Sequence, residues 1–498
     1  MKRLVVFRYF LFMLLLAVAP RANAQFTGSL TFIVQYPSGA AIPNATVVLT
    51  NDGTGEKRTA RTDAAGIYTF VSLAPANYHV TASAKGFSNA QSPIVLQTNQ
   101  VLNVPIRMAV GSATETVQVT TQSPLLDTAD TRIQETLSTE TLSSLPLAGR
   151  SMISLVTLAP GVTGTGVTTN GVPGSGRDNF STETQVDASA NGQGTVGNMY
   201  IVDGLDVTSS IRPGVLNLTP NPDSVQEVSI QTNTYTVDYG RASSVQMSMT
   251  TKSGTDHYHG NASDYFTYQK LFAATDFQPT YLPFHTNNIS ATIGGPAFPG
   301  RKWGYFFFAI EPVRSSDAVS NSITFEDPAF TSFASSAFPT SVGTKILTSY
   351  PVSNVTNIAV SSTASSVYPA TCGTAATFNL PCATAITDTG NFGGTGYRNG
   401  EQYFIRGDKD FNKDRIYGTV YRTTLSSNTP NPRAAFIETN KYYEWAVQIN
   451  ETHTFSPNTI NEAAFAGMRV EGIQPATGLF TVPVVNVTGS QGFGDGFA

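Results

Sequence analysis

The sequence is poor in charged residues, in cysteine and in long apolar runs. Only 13% of its 498 residues are charged, and it has 2 cysteines. Beyond the first 24 residues no apolar run reaches the roughly 20 residues of a membrane-spanning helix, so any membrane insertion must use strands. The low charge, together with 42 Gly and 28 Pro, is typical of a β-rich exported protein.

Residues 1–24 have the pattern of a cleaved secretory signal peptide. A basic start with Lys2 and Arg3 is followed by an apolar stretch of about a dozen residues and by Ala22-Asn23-Ala24 before Gln25. This stretch is too short to remain as a membrane anchor. Its removal leaves 25 basic residues against 34 acidic ones, a net charge of −9 instead of −5. We therefore expect export and no nucleic-acid partner.

The two cysteines, Cys372 and Cys382, lie close together in a segment rich in Thr, Ala and Gly. In an exported chain this spacing favours a local disulfide that pins a loop. Two thiols alone rarely make a zinc site, so we expect no metal there.

Residues 25–110 predict a small β-sandwich of about seven short strands separated by turn residues such as Asp52-Gly53. The runs Gly39–Val47, Thr62–Phe70 and Gly86-Phe87 resemble the carboxypeptidase regulatory-like domain, a transthyretin-like sandwich also called a carbohydrate-binding-like fold. His79 is followed by Val, Thr and Ala and not by an acidic zinc partner, so the family's name predicts no peptidase here.

Residues 111–124 predict a linker that contains the extended segment Thr116, Val117, Gln118, Val119 and Thr120. This segment is either an ordinary interdomain strand or a strand that a partner adds to its own sheet.

Residues 125–254 predict a loop-rich α/β unit. Short helices are indicated at Thr139–Pro146 and Ser151–Gly161, and strands at Asn198–Gly204, Val225–Thr232 and Ser244–Thr251. Five runs in this order resemble the plug of TonB-dependent outer-membrane receptors, of the Oar-like kind that carries a regulatory-like domain in front: Leu145–Arg150, Leu158–Val162, Tyr200–Asp206, Val225–Glu227 and Tyr239–Thr255.

That resemblance implies a protein of the outer membrane of a Gram-negative-type bacterium, with the front sandwich in the periplasm. It implies that Thr116–Thr120 is the TonB box, the strand seized by a TonB-type energy-coupling protein. Outer-membrane lipid and an extracellular ligand, such as a glycan, a peptide or a metal chelate, are the other implied partners.

Residues 255–498 predict strands of a transmembrane β-barrel. In Tyr443–Asn450 one face carries Tyr443, Trp445, Val447 and Ile449, and the other carries polar residues and Ala446, as expected for lipid-facing and lumen-facing sides. Short polar turns at Phe411–Tyr417 and Phe455–Glu462 contrast with a long loop at about Phe325–Asn399. A plugged transporter barrel has ~22 strands, and this segment can supply eight to ten, so we expect the amino-terminal part of a truncated barrel.

Three groups of residues suggest metal or acid/base chemistry and are each better explained otherwise. Asp203 and Asp206 are expected to be turn residues that make local hydrogen bonds. Asp408–Asp414 resembles a calcium loop, but Lys413 replaces the required glycine, so a hairpin turn is expected. His257 and His259 share a strand face without a visible third ligand, so a fortuitous pair is expected.

The fold class expected is therefore mainly β: a sandwich, an α/β plug and an incomplete antiparallel barrel. The expected function is energy-coupled ligand uptake, and the alternative is a surface adhesion or glycan-binding protein without transport. No catalytic motif is present in the sequence, neither Gly-x-Ser-x-Gly, His-Glu-x-x-His nor a phosphate loop, so no enzyme and no cofactor is expected.

Overall fold

In the computed structural model, the residues described are 27–111, 116–118, 133–145, 147, 149–167, 179–180, 184–233, 240–273, 276, 281–298, 303–411, 413–456 and 459–473. The predicted signal peptide at residues 1–24 lies outside them, as do Val119 and Thr120. Within these ranges, no helix has the length and apolar character needed to cross a membrane.

The front of the chain is a two-sheet β-sandwich, as the sequence predicts. Its strands are β1 (Gly28–Gln35), β2 (Thr46–Asn51), β3 (Lys57–Arg61), β4 (Ile67–Leu73), β5 (Ala76–Ser83), β6 (Asn89–Leu96) and β7 (Val101–Arg107). One sheet has the order β4-β1-β7, and the other runs β3-β2-β5-β6 and ends on a short strand, β8 (Thr116–Gln118).

Alternation along the strands builds the core of the sandwich. On β1, Leu30, Phe32 and Val34 are fully buried, and they belong to one cluster with Val47 and Val80 from the opposite sheet. Burying a side chain of this size stabilises the fold by roughly 1.5–3 kcal/mol.

The motif Thr62–Phe70 makes the turn that leads into β4. The Asp63 carboxylate accepts hydrogen bonds from the backbone N–H groups of Ala65 and Ile67, each at 2.9 Å. Gly66 has a φ of +73°, and a Cβ there would lie 2.6 Å from the Val34 carbonyl oxygen. Glycine is therefore required at this position.

A mixed middle unit follows. Its elements are β9 (Ile133–Ser138), α1 (Thr139–Ser144), 3-10 turns at Met152–Leu158, Thr195–Gly197 and Pro222–Ser224, β10 (Val162–Val167), β11 (Thr184–Ala190), β12 (Met199–Val202), β13 (Leu205–Asp206), β14 (Val215–Leu216), β15 (Val225–Asn233) and β16 (Gln246–Thr251). They form a five-stranded sheet, β13-β12-β16-β15-β9, and a three-stranded sheet, β10-β11-β14.

The helix expected at Ser151–Gly161 is instead a 3-10 turn followed by a strand. Ser151 makes no side-chain capping hydrogen bond, and the buried side chains are Met152, Ile153, Leu155 and Val156. This three-residue spacing places apolar pairs above one another on a 3-10 turn, which satisfies the core without an α-helix.

A large antiparallel sheet dominates the described residues after the middle unit. Its strands are β17 (His259–Tyr268), β18 (Phe284–Pro296), β19 (Tyr305–Glu326), β20 (Val355–Thr363), β21 (Ala385–Phe411), β22 (Asp414–Thr429), β23 (Glu438–Ser456) and β24 (Thr459–Ile473). The order is β17-β18-β19-β21-β22-β23-β24, with β20 beside the start of β21. Phe411 lies opposite Asp414, so residues 408–414 form a hairpin and not a calcium loop.

The two faces of the large sheet differ as predicted. On β23 the side chains of Glu444, Ala446 and Gln448 are buried, while Tyr443 and Trp445 are 43% and 45% exposed. Other apolar side chains exposed on this sheet include Ile289, Ile293, Ile405, Val420, Ile449 and Phe465. The exposed band suits lipid, and the buried face packs on the middle unit.

The long strands extend past any bilayer. A transmembrane strand needs about 9–11 residues, and β21 has 27. The loop expected to reach Asn399 therefore ends earlier: its Gly- and Thr-rich second half is strand, because Ala385–Phe392 pairs with β20 and, from Thr387, with β19. Residues 327–384 carry α2 (Pro328–Ala337), α3 (Val342–Ser349), α4 (Ala364–Val367) and the Cys372–Cys382 disulfide.

Replacing both Cys372 and Cys382 by serine is expected to loosen the end of this loop only. A cross-link closing a loop of this size stabilises it by about 3 kcal/mol, and the sulfurs join residues 10 positions apart. Hydrogen exchange should quicken between α4 and β21 and stay unchanged in the β19–β21 pairing. Faster exchange throughout β19 would contradict a local role.

Candidate functional site at the boundary of the middle unit and the large sheet

The middle unit packs against the buried face of the large sheet through one shared apolar cluster. Phe307, Ala309, Phe404, Tyr421 and Ala446 of the sheet belong to the same buried cluster as the core of the middle unit. Polar and charged side chains lie among these apolar contacts, and they determine what the boundary can do.

Arg406 on β21 is the centre of one buried charge cluster. Its Nε and one terminal nitrogen donate to the Asp408 carboxylate at 2.9 and 2.8 Å, and the other terminal nitrogen donates to Thr251 Oγ1 at 3.0 Å. The same guanidinium lies 3.6 Å from an Asp203 carboxylate oxygen and 4.7 Å from the centre of the Tyr417 ring. Arg406 therefore joins the sheet to two segments of the middle unit.

Asp203 lies in a turn, as predicted, and its side chain also makes hydrogen bonds to a distant part of the chain. It does sit in the turn between β12 and β13, with a φ of +48°. Its carboxylate, however, accepts the Thr251 N–H at 2.9 Å and the Thr251 hydroxyl at 2.6 Å, across 48 residues of sequence. Burial raises the pKa of the Asp203 carboxyl, and the nearby Arg406 charge opposes that rise. Asp206 accepts the Thr208 N–H at 2.9 Å, the local bond predicted for it, and it also pairs with Arg241 at 3.1 Å.

Arg150 is the centre of a second buried cluster. It donates to Asp223 at 2.9 Å, lies 3.1 Å from Glu311 of β19, and stacks over the Tyr265 ring at 3.7 Å. Glu311 also accepts a hydrogen bond from the Asn179 amide at 2.6 Å. Burial would raise the pKa of Asp223, but the Arg150 charge and hydrogen bonds outweigh it and lower that pKa.

Each cluster joins a motif residue of the middle unit to a strand residue of the sheet. Arg150, Asp203 and Thr251 lie in the motifs used above, whereas Glu311 and Arg406 were missed by sequence reasoning. The sequence does contain a signal for these two residues. Glu311 and Arg406 are charged and occupy inward-facing positions of alternating strands, two residues after Ala309 and Phe404 respectively. A charge at such a position needs a buried partner.

The sandwich is attached to the middle unit by a small polar contact. The Thr98 N–H donates to Glu227 at 2.7 Å, its hydroxyl lies 2.9 Å from that of Thr250, and the Gln226 amide donates to the Pro75 carbonyl at 3.0 Å. Burial raises the pKa of Glu227, and the hydrogen bond from Thr98 opposes that rise.

The predicted coupling segment begins as an edge strand of the sandwich. β8 pairs in parallel with β6 over three residues, with Thr116, Val117 and Gln118 opposite Asn89, Ala90 and Gln91. It is the terminal strand of its sheet within the described residues.

Among the described residues, two cavities with charged side chains in their walls lie where the sandwich meets the rest of the structure. One of about 580 Å³ is lined by sandwich residues such as Arg58 and by Asp410, Asp414 and Arg415 at the turn end of the sheet. The other, of about 540 Å³, reaches Lys252 and Arg406. A cavity large enough to hold water therefore borders the charged boundary on the side that faces the sandwich.

The two histidines singled out in the sequence, His257 and His259, belong to no group of three metal-ligating side chains within the described residues. His257 lies 3.6 Å from Asp256, whereas His259 Nδ1 lies 3.1 Å from Thr255 Oγ1. Within the described residues one group of three metal-ligating side chains converges, and it comprises Asp414, Glu451 and His453.

Comparisons with known proteins agree with this architecture. Residues 250–496 match the outer membrane beta barrel domain, and residues 29–109 match the carboxypeptidase regulatory-like domain. The TonB-dependent transporter Oar of Myxococcus xanthus is 25% identical over 306 residues, which cover 58% of this chain and 27% of the transporter. The matched region thus spans about a quarter of that relative.

Two solved structures are similar at low sequence identity. The outer membrane transporter YddB from Escherichia coli has a TM-score of 0.40 and 10% identity, over 65% of this chain and 37% of that one. A mutant of the ferric enterobactin receptor PfeA from Pseudomonas aeruginosa, in complex with enterobactin, has a TM-score of 0.38 and 10% identity, over 69% and 42%.

Replacing Arg406 by methionine should destabilise the protein strongly, because Asp203 and Asp408 would stay buried without their cation. Breaking a buried pair in this way costs about 3–5 kcal/mol. The matched control is Arg314→Met, which removes an exposed pair to Glu401 at 2.7 Å and should cost under about 1 kcal/mol. Denaturant unfolding of the detergent-solubilised protein measures both, and equal losses would contradict the difference.

Docking of the sandwich should weaken as pH rises through the raised pKa of Glu227. The docked state favours the protonated acid, so its contribution is complete below the ordinary value of 4.5 and is lost above the raised one. Thr98, Thr250 and Gln134, which surround this contact, do not titrate in that range.

Glu227→Gln keeps an oxygen that accepts the Thr98 N–H and should remove this pH dependence. The measurement is amide-exchange protection at Thr98 from about pH 4 to about pH 8, corrected for intrinsic exchange rates. Glu135→Gln on β9 is the control and should leave the dependence intact. A Glu227→Gln protein with the original pH profile would refute the assignment.

Proposed function

We propose that this chain, which belongs to the Oar-like TonB-dependent receptors of the bacterial outer membrane, carries a ligand inward when a periplasmic partner remodels its middle unit. Its relative Oar is named as a TonB-dependent transporter. In this proposal the middle unit is the plug, the large sheet is part of the barrel, and the sandwich is periplasmic.

The observation that carries the proposal is how the middle unit is held. Among the described residues its two sheets share no strand pairing with the large sheet. The contacts across the boundary are apolar packing and side-chain bonds, including those of Arg150 and Arg406. A unit held in this way can shift or unfold without opening the barrel ladder, and water entering the boundary would solvate the separated charges.

The edge position of β8 supports a coupling role for Thr116–Thr120. An edge strand presents unpaired backbone groups, and a partner can recognise these by adding a strand of its own. Within the described residues, three residues of β8 pair with β6, and the partner would compete for this pairing.

The two ends of the large sheet differ, and this difference predicts where an extracellular ligand first binds. The short turns lie at the end beside the sandwich, whereas residues 327–384 lie at the opposite end, beyond the apolar band. In this proposal the extracellular ligand first meets that loop, since the long loops of bacterial barrels face outside.

Replacing Val117 by proline should abolish capture by the coupling protein. Proline lacks the backbone N–H and fixes φ, so a strand added at this segment loses a ladder bond. We expect affinity for the purified periplasmic domain of a TonB-type protein to fall at least about tenfold, measured by calorimetry with the whole receptor in detergent.

The control is Ala113→Pro, in the same linker but outside the predicted segment, which should bind normally. Equal binding by the Val117→Pro and wild-type proteins would refute the coupling role. A protein that binds no coupling domain at all would instead support the adhesion alternative.

A further inference from the structure

Three metal-ligating side chains converge at the turn end of β22 and β23. Asp414 begins β22, and Glu451 and His453 lie near the end of β23. Each offers one ligand atom, and these atoms all lie within 4.8 Å of one another. The His453 Nδ1 and Asp414 Oδ1 atoms are already in contact.

The strand register produces this convergence. Asp414 is directly opposite His453, and Ile416 is directly opposite Glu451. Residues two apart on a strand share a face, so Glu451 and His453 project on the same side as Asp414. That side is the outward one, because Ile449, two residues before Glu451, is exposed in the apolar band.

The charges in this group are not balanced by protein cations. Within the described part of the chain, neither carboxylate forms an ion pair with a lysine or arginine, and His453 is the partner of Asp414. Two carboxylates that face a single imidazole repel each other, and a divalent cation among them would relieve that repulsion. All three side chains are half-buried, which leaves room for water on an ion.

The geometry points to a divalent transition-metal site, of the zinc class, formed by Asp414, Glu451 and His453. One imidazole and two carboxylates make a mixed N and O donor set, and three protein ligands leave a coordination position open. The ion joins β22 to β23 across their register just beyond the apolar band. Asp414 also lines the 580 Å³ cavity between the sandwich and the sheet, so one of the three ligands borders space that water can occupy.

The test is calorimetric titration of zinc chloride into the whole protein in detergent, purified without a histidine tag and stripped with a chelator. We expect one ion per chain. His453→Ala should weaken binding by roughly a hundredfold or more, because even the loss of an outer-shell partner costs ~10- to 100-fold. Glu451→Gln is nearly isosteric and should also weaken binding, so the test does not depend on one variant folding.

The matched control is His79→Ala. His79 pairs with Asp52 at 2.5 Å in the sandwich, but it belongs to no group of three within the described residues, so zinc binding should be unchanged. Absence of zinc binding by the wild-type protein would overturn the site. So would full affinity in His453→Ala or Glu451→Gln, or loss of binding in His79→Ala.

Discussion

The burial of two arginines, Arg150 and Arg406, between the middle unit and the large sheet is the constraint on which the structure depends. A buried guanidinium is tolerated only where carboxylates and hydrogen-bond acceptors surround it. For Arg406 these are Asp408 on its own strand and Asp203 and Thr251 across the boundary. The middle unit must therefore dock where Asp203 and Thr251 reach this arginine. The strand register of β21 is constrained as well, since a shift of one residue would place Arg406 on the lipid side.

The two arginines approach this boundary from opposite sides. Arg150 belongs to the middle unit and meets Glu311 of the sheet, whereas Arg406 belongs to the sheet and meets Asp203 of the middle unit. Each component thus contributes one arginine and two carboxylates, Asp203 and Asp223 from the middle unit and Glu311 and Asp408 from the sheet, so the charges are divided evenly between them. Phe404 and Tyr421 of the sheet are buried in the apolar cluster shared with the middle unit, and a low local dielectric strengthens ion pairs beside such a cluster.

Local pattern was enough to predict much of the fold, and long-range pairing was not. The period-two alternation of Tyr443–Asn450 predicted both faces of β23 because one face is buried and the other is not. The turn residues Asp52-Gly53 predicted a break between two short strands of the sandwich, and β2 and β3 pair as a hairpin across it. The partner of Asp203, by contrast, is Arg406, and no local rule joins positions so far apart. The second half of the long loop was wrongly predicted as loop because Gly and Thr are common in turns. In the structure this segment is a strand, because a neighbouring strand pairs with it on each side.

A pull at Thr116–Gln118 would reach the parts of the middle unit in the order in which they follow that segment along the chain. The next described element is β9, which within the described ranges is the terminal strand of its sheet, paired with β15. An edge strand can detach one residue at a time, whereas a central strand must break two ladders together. Asp203 and Thr251 are held by β12 and β16 deeper in that sheet, and Arg150 follows β9 and α1 directly. The Arg150–Glu311 contact would therefore yield before the Arg406 cluster, which opens the boundary on one side while the other still anchors the unit.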